Sequence, residues 1–279
     1  MGLLDEIRSD YHRQLCGQVF FIDESGCPNN ADRHNTSSLA LSKSILSQLG
    51  HTLLDAPIKS QTAGQHFEQI TCAYIKSAFT HLQHLRPGDW AFEVNQQIEN
   101  FEQYEHLADL SKILHEHREL QATLGDYLIL PDIVVSRFPV IDSVINQTEL
   151  LLEPDSAARL TPIRKANSGK PILHASISCK WTIRSDRSQN SRTEGLNLIR
   201  NRKGNTPHIV LVTAEPTPQR LASVALGTGD IDCVYHIALP ELQSAVEQFG
   251  NPAIKEMLDI LVYGKRLRDI SDLPLDLAA

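Results

Sequence analysis

The sequence predicts an α/β fold, a sheet covered by helices, on three observations. Helical apolar spacing dominates the first 125 residues, short β-rich apolar runs follow, and helical segments separate those runs. At 279 residues, with 41% hydrophobic and 22% charged, the chain can bury its own core, which excludes disordered and low-complexity architectures. There is no internal repeat and no long linker. Residues 1–279 are therefore expected to form a single domain, mainly helical over 1–125 and sheet-bearing over 126–279.

Leu3, Leu4, Ile7 and Tyr11 carry the first helical spacing. Asn35-Thr36-Ser37 offers caps for a second helix through Leu39, Leu41, Ile45 and Leu49, closed by Gly50. A longer helix is expected after Gly64, with Phe67, Ile70, Tyr74, Ala78 and Leu82 on one side, ending before Pro87-Gly88. Another is expected from Phe101 to Leu120. After Gly125 the run from Tyr127 to Val135 reads as a buried strand, its Pro131 marking a bulge or an edge. Further strands are expected over Ile172–Ile183, Ile209–Thr213 and Ile231–Ala238. A helix reaching Arg202 follows the polar segment SDRSQNSRTEG, and helices near 217–225, 240–249 and 252–262 fill the remaining gaps.

Five scattered cysteines without a C-x-x-C fit reduced thiols and argue against a disulfide framework or a zinc ribbon. His115 and His117 lie two residues apart on an expected helix and would not share a face for a metal. No apolar run approaches a membrane span and the start lacks a signal-peptide core, so a soluble, cytoplasmic protein with no membrane partner is expected. The formal charge is -8, yet seven basic and two acidic residues lie between Lys180 and Lys203. A concentrated basic segment in an acidic chain suits local phosphate contact; a solvated helix face is the plainer alternative.

Three features carry chemistry. Asp132 is placed by this reading inside an otherwise apolar strand, where a carboxylate must be paired, hydrogen-bonded or bound to a cation. In Ser178-Cys179-Lys180 the period of two puts Ser178 and Lys180 on one face and Cys179 on the other. Opposite charges on neighbouring strands make each other tolerable, either as a structural ion pair or as part of an active site. Glu194 lies fourteen residues beyond Lys180, flanked by Ser191 and Gly195, which suit a helix start. Two carboxylates, a hydroxyl and an ammonium around one pocket suit Mg2+ and phosphodiester hydrolysis. Next to them, Arg184-Ser-Asp186-Arg187 combines donors that read guanine with an acceptor that reads cytosine.

The 31-residue block from His174 to Gly204 closely resembles the NgoMIV-type (type IIF) restriction endonucleases of the PD-(D/E)XK superfamily. So do PHIVLVTAEPTPQR (207–220), ALGTGDIDCVYH (225–236) and GKRLRDISDLPLDLA (264–278), with weaker likeness through LQHLRPGDW, LPDIVV and NADRHNT. The resemblance implies a close relative or isoschizomer, built on a central mixed β-sheet flanked by helices. Asp132, Ser178, Lys180 and Glu194 match a variant motif in which Ser replaces the second strand acid and the acid moves to the next helix. Glu68 matches a further acidic residue near the metal site, with Asp132 and Glu194 as metal ligands. Arg184, Asp186 and Arg187 match readers of a CCGG core, Gln61 a minor-groove contact, and Asp32 and Arg220 positions near the outer base pair. Arg33-His34 departs from the Gly-Ser of the family pattern, which puts the outer contact of a GCCGGC site, with His34 beside it, in question. The resemblance also implies Mg2+ dependence and a cut after the first G leaving a four-base overhang. It implies a homotetramer, a dimer of dimers, engaging two copies of its site in double-stranded DNA, and a companion DNA methyltransferase.

Other classes explain fewer residues. A Ser178–Lys180 dyad hydrolase leaves Asp132, Glu194 and the arginines without a role. A non-catalytic DNA-binding module has no use for a Lys and an Asp within apolar strands, and a junction resolvase or repair nuclease needs no base-reading cluster. Trp90 and Trp181 read as core or interface residues, Gly227-Thr-Gly-Asp230 as a tight turn rather than a phosphate loop, and the tail LPLDLAA as an interface segment.

Overall fold

The computed structural model describes residues 1–117, 119, 129–183, 185–227 and 229–279, and for 185–189 the backbone alone. Six strands pair in chain order. They are β1 (Trp90–Val94), β2 (Ile133–Arg137), β3 (Ile172–Lys180), β4 (His208–Thr213), β5 (Cys233–His236) and β6 (Leu267–Asp269). β1, β2 and β3 pair antiparallel, whereas β3 to β6 pair parallel, so β3 joins the two halves of a mixed sheet. The strands at its centre are buried on both faces, as helix-covered strands require. Ile133 and Val135 enter the larger core with Phe67 and Ile75, while Val134 enters a smaller one with Phe101, Tyr104 and Leu198.

The N-terminal part is a helical layer of α1 (Leu3–Gln18), α2 (Thr36–Leu49) and α3 (Ser60–Thr80). Asn35 caps α2 by accepting the Ser38 N–H, and Gly50 closes it in the left-handed conformation. α3 begins before Gly64 rather than after it. Burial of Ala63 and Phe67 on either side carries the helix through the glycine, since packing outweighs a residue's intrinsic preference.

The expected helix from Phe101 to Leu120 breaks up. Two 3-10 turns, Ile98–Asn100 and Glu102–Tyr104, precede α4 (Leu107–Glu116), and residues 118 and 120–128 lie outside those described. The Gln103 side chain explains the break. It donates to the Leu173 carbonyl at 2.7 Å and accepts the Leu173 N–H at 2.9 Å, pinning this segment to the start of β3. β1 was not foreseen: only Trp90, Phe92 and Val94 face inward, with Trp90 and Phe92 set against Phe79 of α3.

Three strand boundaries are also corrected. β2 starts at Ile133, leaving Pro131 and Asp132 ahead of it, and the irregularity in its pairing lies at Val135/Ser136 rather than at the proline. β3 ends at Lys180 instead of Ile183, and β5 covers only Cys233–His236 of the expected 231–238. After α5 (Asp142–Ile145) and β3, helix α6 already spans Ser185–Asn201, which places Ser191 and Gly195 inside it rather than at its start. Helices α7 (Pro218–Ala225), α8 (Leu239–Phe249) and α9 (Pro252–Tyr263) fall where their spacing predicts.

The C-terminal tail is not left for a partner. It forms α10 (Asp272–Ala278), whose Leu273 and Leu277 are buried in the larger core, and the Leu277 carbonyl hydrogen-bonds His174 Nε2 at 2.8 Å. Leu277→Ala is expected to lower stability by about 2–5 kcal/mol through the cavity it leaves. Urea unfolding would register this as a lower midpoint with an unchanged slope.

Candidate active site

Because β2 runs antiparallel to β3, the start of β2 lies beside the end of β3, with Ile133 opposite Ile177. Asp132 precedes the first of these strands and Lys180 ends the other, so both reach the same end of the sheet. Neither is mid-strand, contrary to the sequence expectation. The Asp132 carboxylate supplies what a further strand residue would have supplied. Its Oδ2 accepts the Cys179 N–H at 2.7 Å and also Lys180 Nζ at 3.0 Å. Both side chains are about one-fifth exposed, at 21% and 19%.

Alternation along β3 turns Cys179 into the larger core and leaves Ser178 and Lys180 on the site face. Ser178 Oγ donates to Glu194 Oε2 at 3.4 Å. Glu194 sits in the middle of α6, and its depth is set by its neighbour. A Cβ on Gly195 would lie 2.6 Å from the Asp230 carbonyl, so only glycine lets the helix pack this closely against that turn. Glu68 approaches from α3, within the field of Asp132 and Lys180 and hydrogen-bonded to the Asn95 side chain.

These groups oppose one another electrostatically. Burial works against the Lys180 charge, but the charge and hydrogen bond of Asp132, with Glu194 behind, outweigh it and hold the ammonium above the ordinary lysine value. The Glu194 carboxyl is pushed up by burial and by the Asp132 charge, against the pull of Lys180 and Ser178. Glu68 is pushed up by the same two causes, against Lys180 and Asn95. Among the described residues, no three His, Cys, Asp or Glu side chains come together closely enough to cage a metal ion.

A second cluster joins two further sequence candidates. Arg220, in the first turn of α7, pairs with Asp32 through Nη2 and lies 3.8 Å from Glu215 through Nη1. Asp32 Oδ1 also accepts the His34 N–H at 3.1 Å, while the His34 side chain is exposed. Arg33, the departure from the family pattern, is tied to Asp23 instead. Gln61 is exposed in the first turn of α3, two helical turns before Glu68 and on the same side. Arg184 lies outside the described residues, as do the side chains of Asp186 and Arg187, whose backbone forms the first turn of α6. The basic segment is not one continuous stripe: Arg192 and Arg202 donate to the carbonyls of Leu226 and Ile199.

The NgoMIV restriction enzyme family matches residues 11–279. The chain belongs to that family. It is 48% identical over 285 residues to the type II restriction enzyme NgoMIV of Neisseria gonorrhoeae, a match spanning 99% of both chains. As a member of the NgoMIV family it is a restriction endonuclease, and its mixed sheet with flanking helices accords with a PD-(D/E)XK-like core.

Two residues of this family member escaped the sequence reading. Asn95, just past β1, adopts the left-handed conformation at φ 55°, which Asn tolerates better than most residues. Its N–H donates to the Asp132 carbonyl at 3.3 Å while its side chain holds Glu68, so it ties the two acids together. Its signal was faint, a single Asn closing a short alternating run. Glu215 is a fully buried carboxylate just past β4, and an acid directly following an apolar run is the signal that marked Asp132. Lys180→Ala should raise the Glu194 pKa and Asp132→Asn should lower it, since one removes an attracting charge and the other a repelling one. Carboxyl carbon NMR of labelled glutamate in metal-free buffer would read both; shifts of the same sign would contradict the arrangement.

Proposed function

We propose that the chain is a type II restriction endonuclease that hydrolyses double-stranded DNA with Mg2+, using Asp132, Lys180, Glu194, Ser178 and Glu68. The observation that carries this reading is the contact of Lys180 with Asp132 at the end of the sheet, with Ser178 and Glu194 alongside.

The donor set fits Mg2+. That ion commonly takes one or two protein carboxylates and fills its remaining positions with water and phosphate, rather than entering an all-protein cage. Asp132 and Glu194 would hold it; burial, and after it the Asp132 charge, raises the affinity of Glu194 for a positive partner. When bound, Mg2+ supplies charge neutralisation at the phosphate and makes water a stronger acid.

The chain's own residues account for the remaining work. Asp132 keeps Lys180 charged and aimed, so its ammonium stabilises the negative charge that builds on the phosphate oxygens as water adds and a P–O bond breaks. Ser178 fixes the Glu194 carboxylate through its hydroxyl. Glu68, with its raised proton affinity, is suited to hold a proton from water near the site. A Ser178 nucleophile with Lys180 as base is disfavoured, because that base must be a neutral amine and Asp132 holds Lys180 charged.

For the DNA, Arg184, Asp186 and Arg187 would read a CCGG core from the start of α6. Gln61 would reach the minor groove, and Asp32, Arg220 and His34 would lie at the outer base pair. Arg33 is tied to Asp23, and the departure at Arg33-His34 does not break the Asp32–Arg220 ion pair. This favours GCCGGC, cut after the first G with a four-base overhang. By its resemblance to the family the enzyme would be a homotetramer, a dimer of dimers engaging two sites, and exposed Phe138, Ile141, Val144, Leu150, Leu151 and Leu160 between β2 and β3 offer apolar surface for association. A companion methyltransferase would protect host DNA. The enzyme would act in the cytoplasm, and among the described residues no helix is long and apolar enough to cross a membrane.

Digesting a sequenced plasmid in Mg2+ and mapping the ends tests the reading directly; cuts at unrelated sequences, or none, would refute it. Asp132→Ala and Lys180→Ala are expected to abolish cleavage while leaving specific binding in Ca2+ largely intact. Arg187→Ala should instead weaken specific binding by roughly 1–3 kcal/mol, the worth of one bidentate base contact.

A further inference from the structure

Glu215 is a charged side chain with no place in the chemistry above, and it is completely buried. Its Oε2 accepts the Ile183 N–H at 3.0 Å and its Oε1 the Thr217 N–H at 3.1 Å. Its own N–H donates to Thr213 Oγ1 at 3.1 Å. The carboxylate also lies 3.8 Å from Arg220, which is itself engaged by Asp32. The neighbouring Ala214 carbonyl accepts from the Asn30 side chain at 2.8 Å, binding the 30–32 segment to the same turn. A buried carboxylate is costly, and here its partners come from two separate parts of the chain, Ile183 ahead of α6 and the start of α7. Through Arg220 the second of these reaches the loop that carries Asp32.

We propose that Glu215 is a positioning residue for base recognition, fixing the entry to α6 and the Arg220–Asp32 pair in one frame so that core and outer bases are read in register. The inference rests on the proposed reading of a site-specific endonuclease and extends it to a residue remote from the reacting phosphate. A guanidinium reads a base through two hydrogen bonds at fixed geometry, so its aim must be set before DNA arrives. Asp32 grips one terminal nitrogen of Arg220 and Glu215 faces the other. The hold on Ile183 fixes described backbone just ahead of α6.

The test compares Glu215→Gln with wild type on duplexes carrying GCCGGC and ACCGGT, recording KM and kcat on each. The amide oxygen can keep the Ile183 N–H, its NH2 replaces the oxygen that accepts the Thr217 N–H, and the charge that faces Arg220 is removed. The proposal expects preference for GCCGGC over ACCGGT to fall about ten-fold, mainly through KM, while kcat on GCCGGC stays close to wild type and the melting temperature falls only by the loss of the Thr217 acceptor, with the protein still folded. An equal fall on both duplexes, or no change on either, would overturn it, because a merely structural carboxylate does not distinguish outer bases. If Glu215→Gln does not fold, Glu215→Asp, which keeps the charge but shortens its reach, carries the same expectation and the same overturning result. Wild-type enzyme lacking the preference would overturn the GCCGGC reading itself, and that is read before any variant is made.

Discussion

The contact between Lys180 and Asp132 is the constraint around which the site is arranged. Either charge alone at this depth would be costly, and removing one partner of a largely buried pair commonly costs ~3–5 kcal/mol. The pair forms because the sheet changes sense at β3. An antiparallel β2 brings its first residues to the end of β3, while a parallel β4 ends at the same level, with Thr213 opposite Lys180. A wholly parallel sheet would put the start of β2 at the far end from Lys180. Asp132 also takes the Cys179 N–H, so the carboxylate that balances the lysine is itself fixed by the backbone of the lysine's own strand.

Elements packed on the sheet bring the other acids within reach of that pair. α6 delivers Glu194, and its close approach at Gly195 sets how deep the carboxylate lies. α3 delivers Glu68, and Asn95 ties it to the residue that supplies the Asp132 carbonyl. Three acids thus gather around one ammonium. Lys180 is held charged while Glu68 and Glu194 both bind protons more readily than usual, first because they are buried and then because Asp132 is near, so positive charge beside them would be stabilising. On the proposed reading, Mg2+ supplies that charge, which explains why the acids are tolerated together.

Much of this was legible in the sequence wherever a polar residue interrupts an apolar run. Asp132, Ser178 and Lys180 stand out in that way, and a period of two puts the last two on one face. The limits of their strands were not legible, because the Asp132 side chain replaces a ladder acceptor that an extended backbone would have supplied. The break near Gln103 was hidden for a related reason: its partner, Leu173, lies seventy residues away. β1 was missed because the run is short and only three of its five residues face inward. Glu215 could have been noticed, since it directly follows the apolar run of β4, but its partners at Ile183 and Arg220 are set by tertiary structure alone.

The charge distribution poses the remaining physical question, how a chain of net charge -8 engages a polyanion. A long basic stripe is not the answer, because two arginines of the basic segment are spent on carbonyls of the protein, Arg192 on Leu226 and Arg202 on Ile199. Arg220 is likewise neutralised by Asp32 and faced by Glu215. Positive charge used in this way adds little to the long-range attraction that drives non-specific binding to phosphates. On the proposed reading what remains is directional: Arg220, held by Asp32 and faced by Glu215, can reward the right base and gain little from the wrong one. The net charge of -8 disfavours DNA that offers no such match. For an enzyme that cuts what it binds, discrimination at the contact matters more than affinity for the polymer, and this arrangement of paired charges favours discrimination.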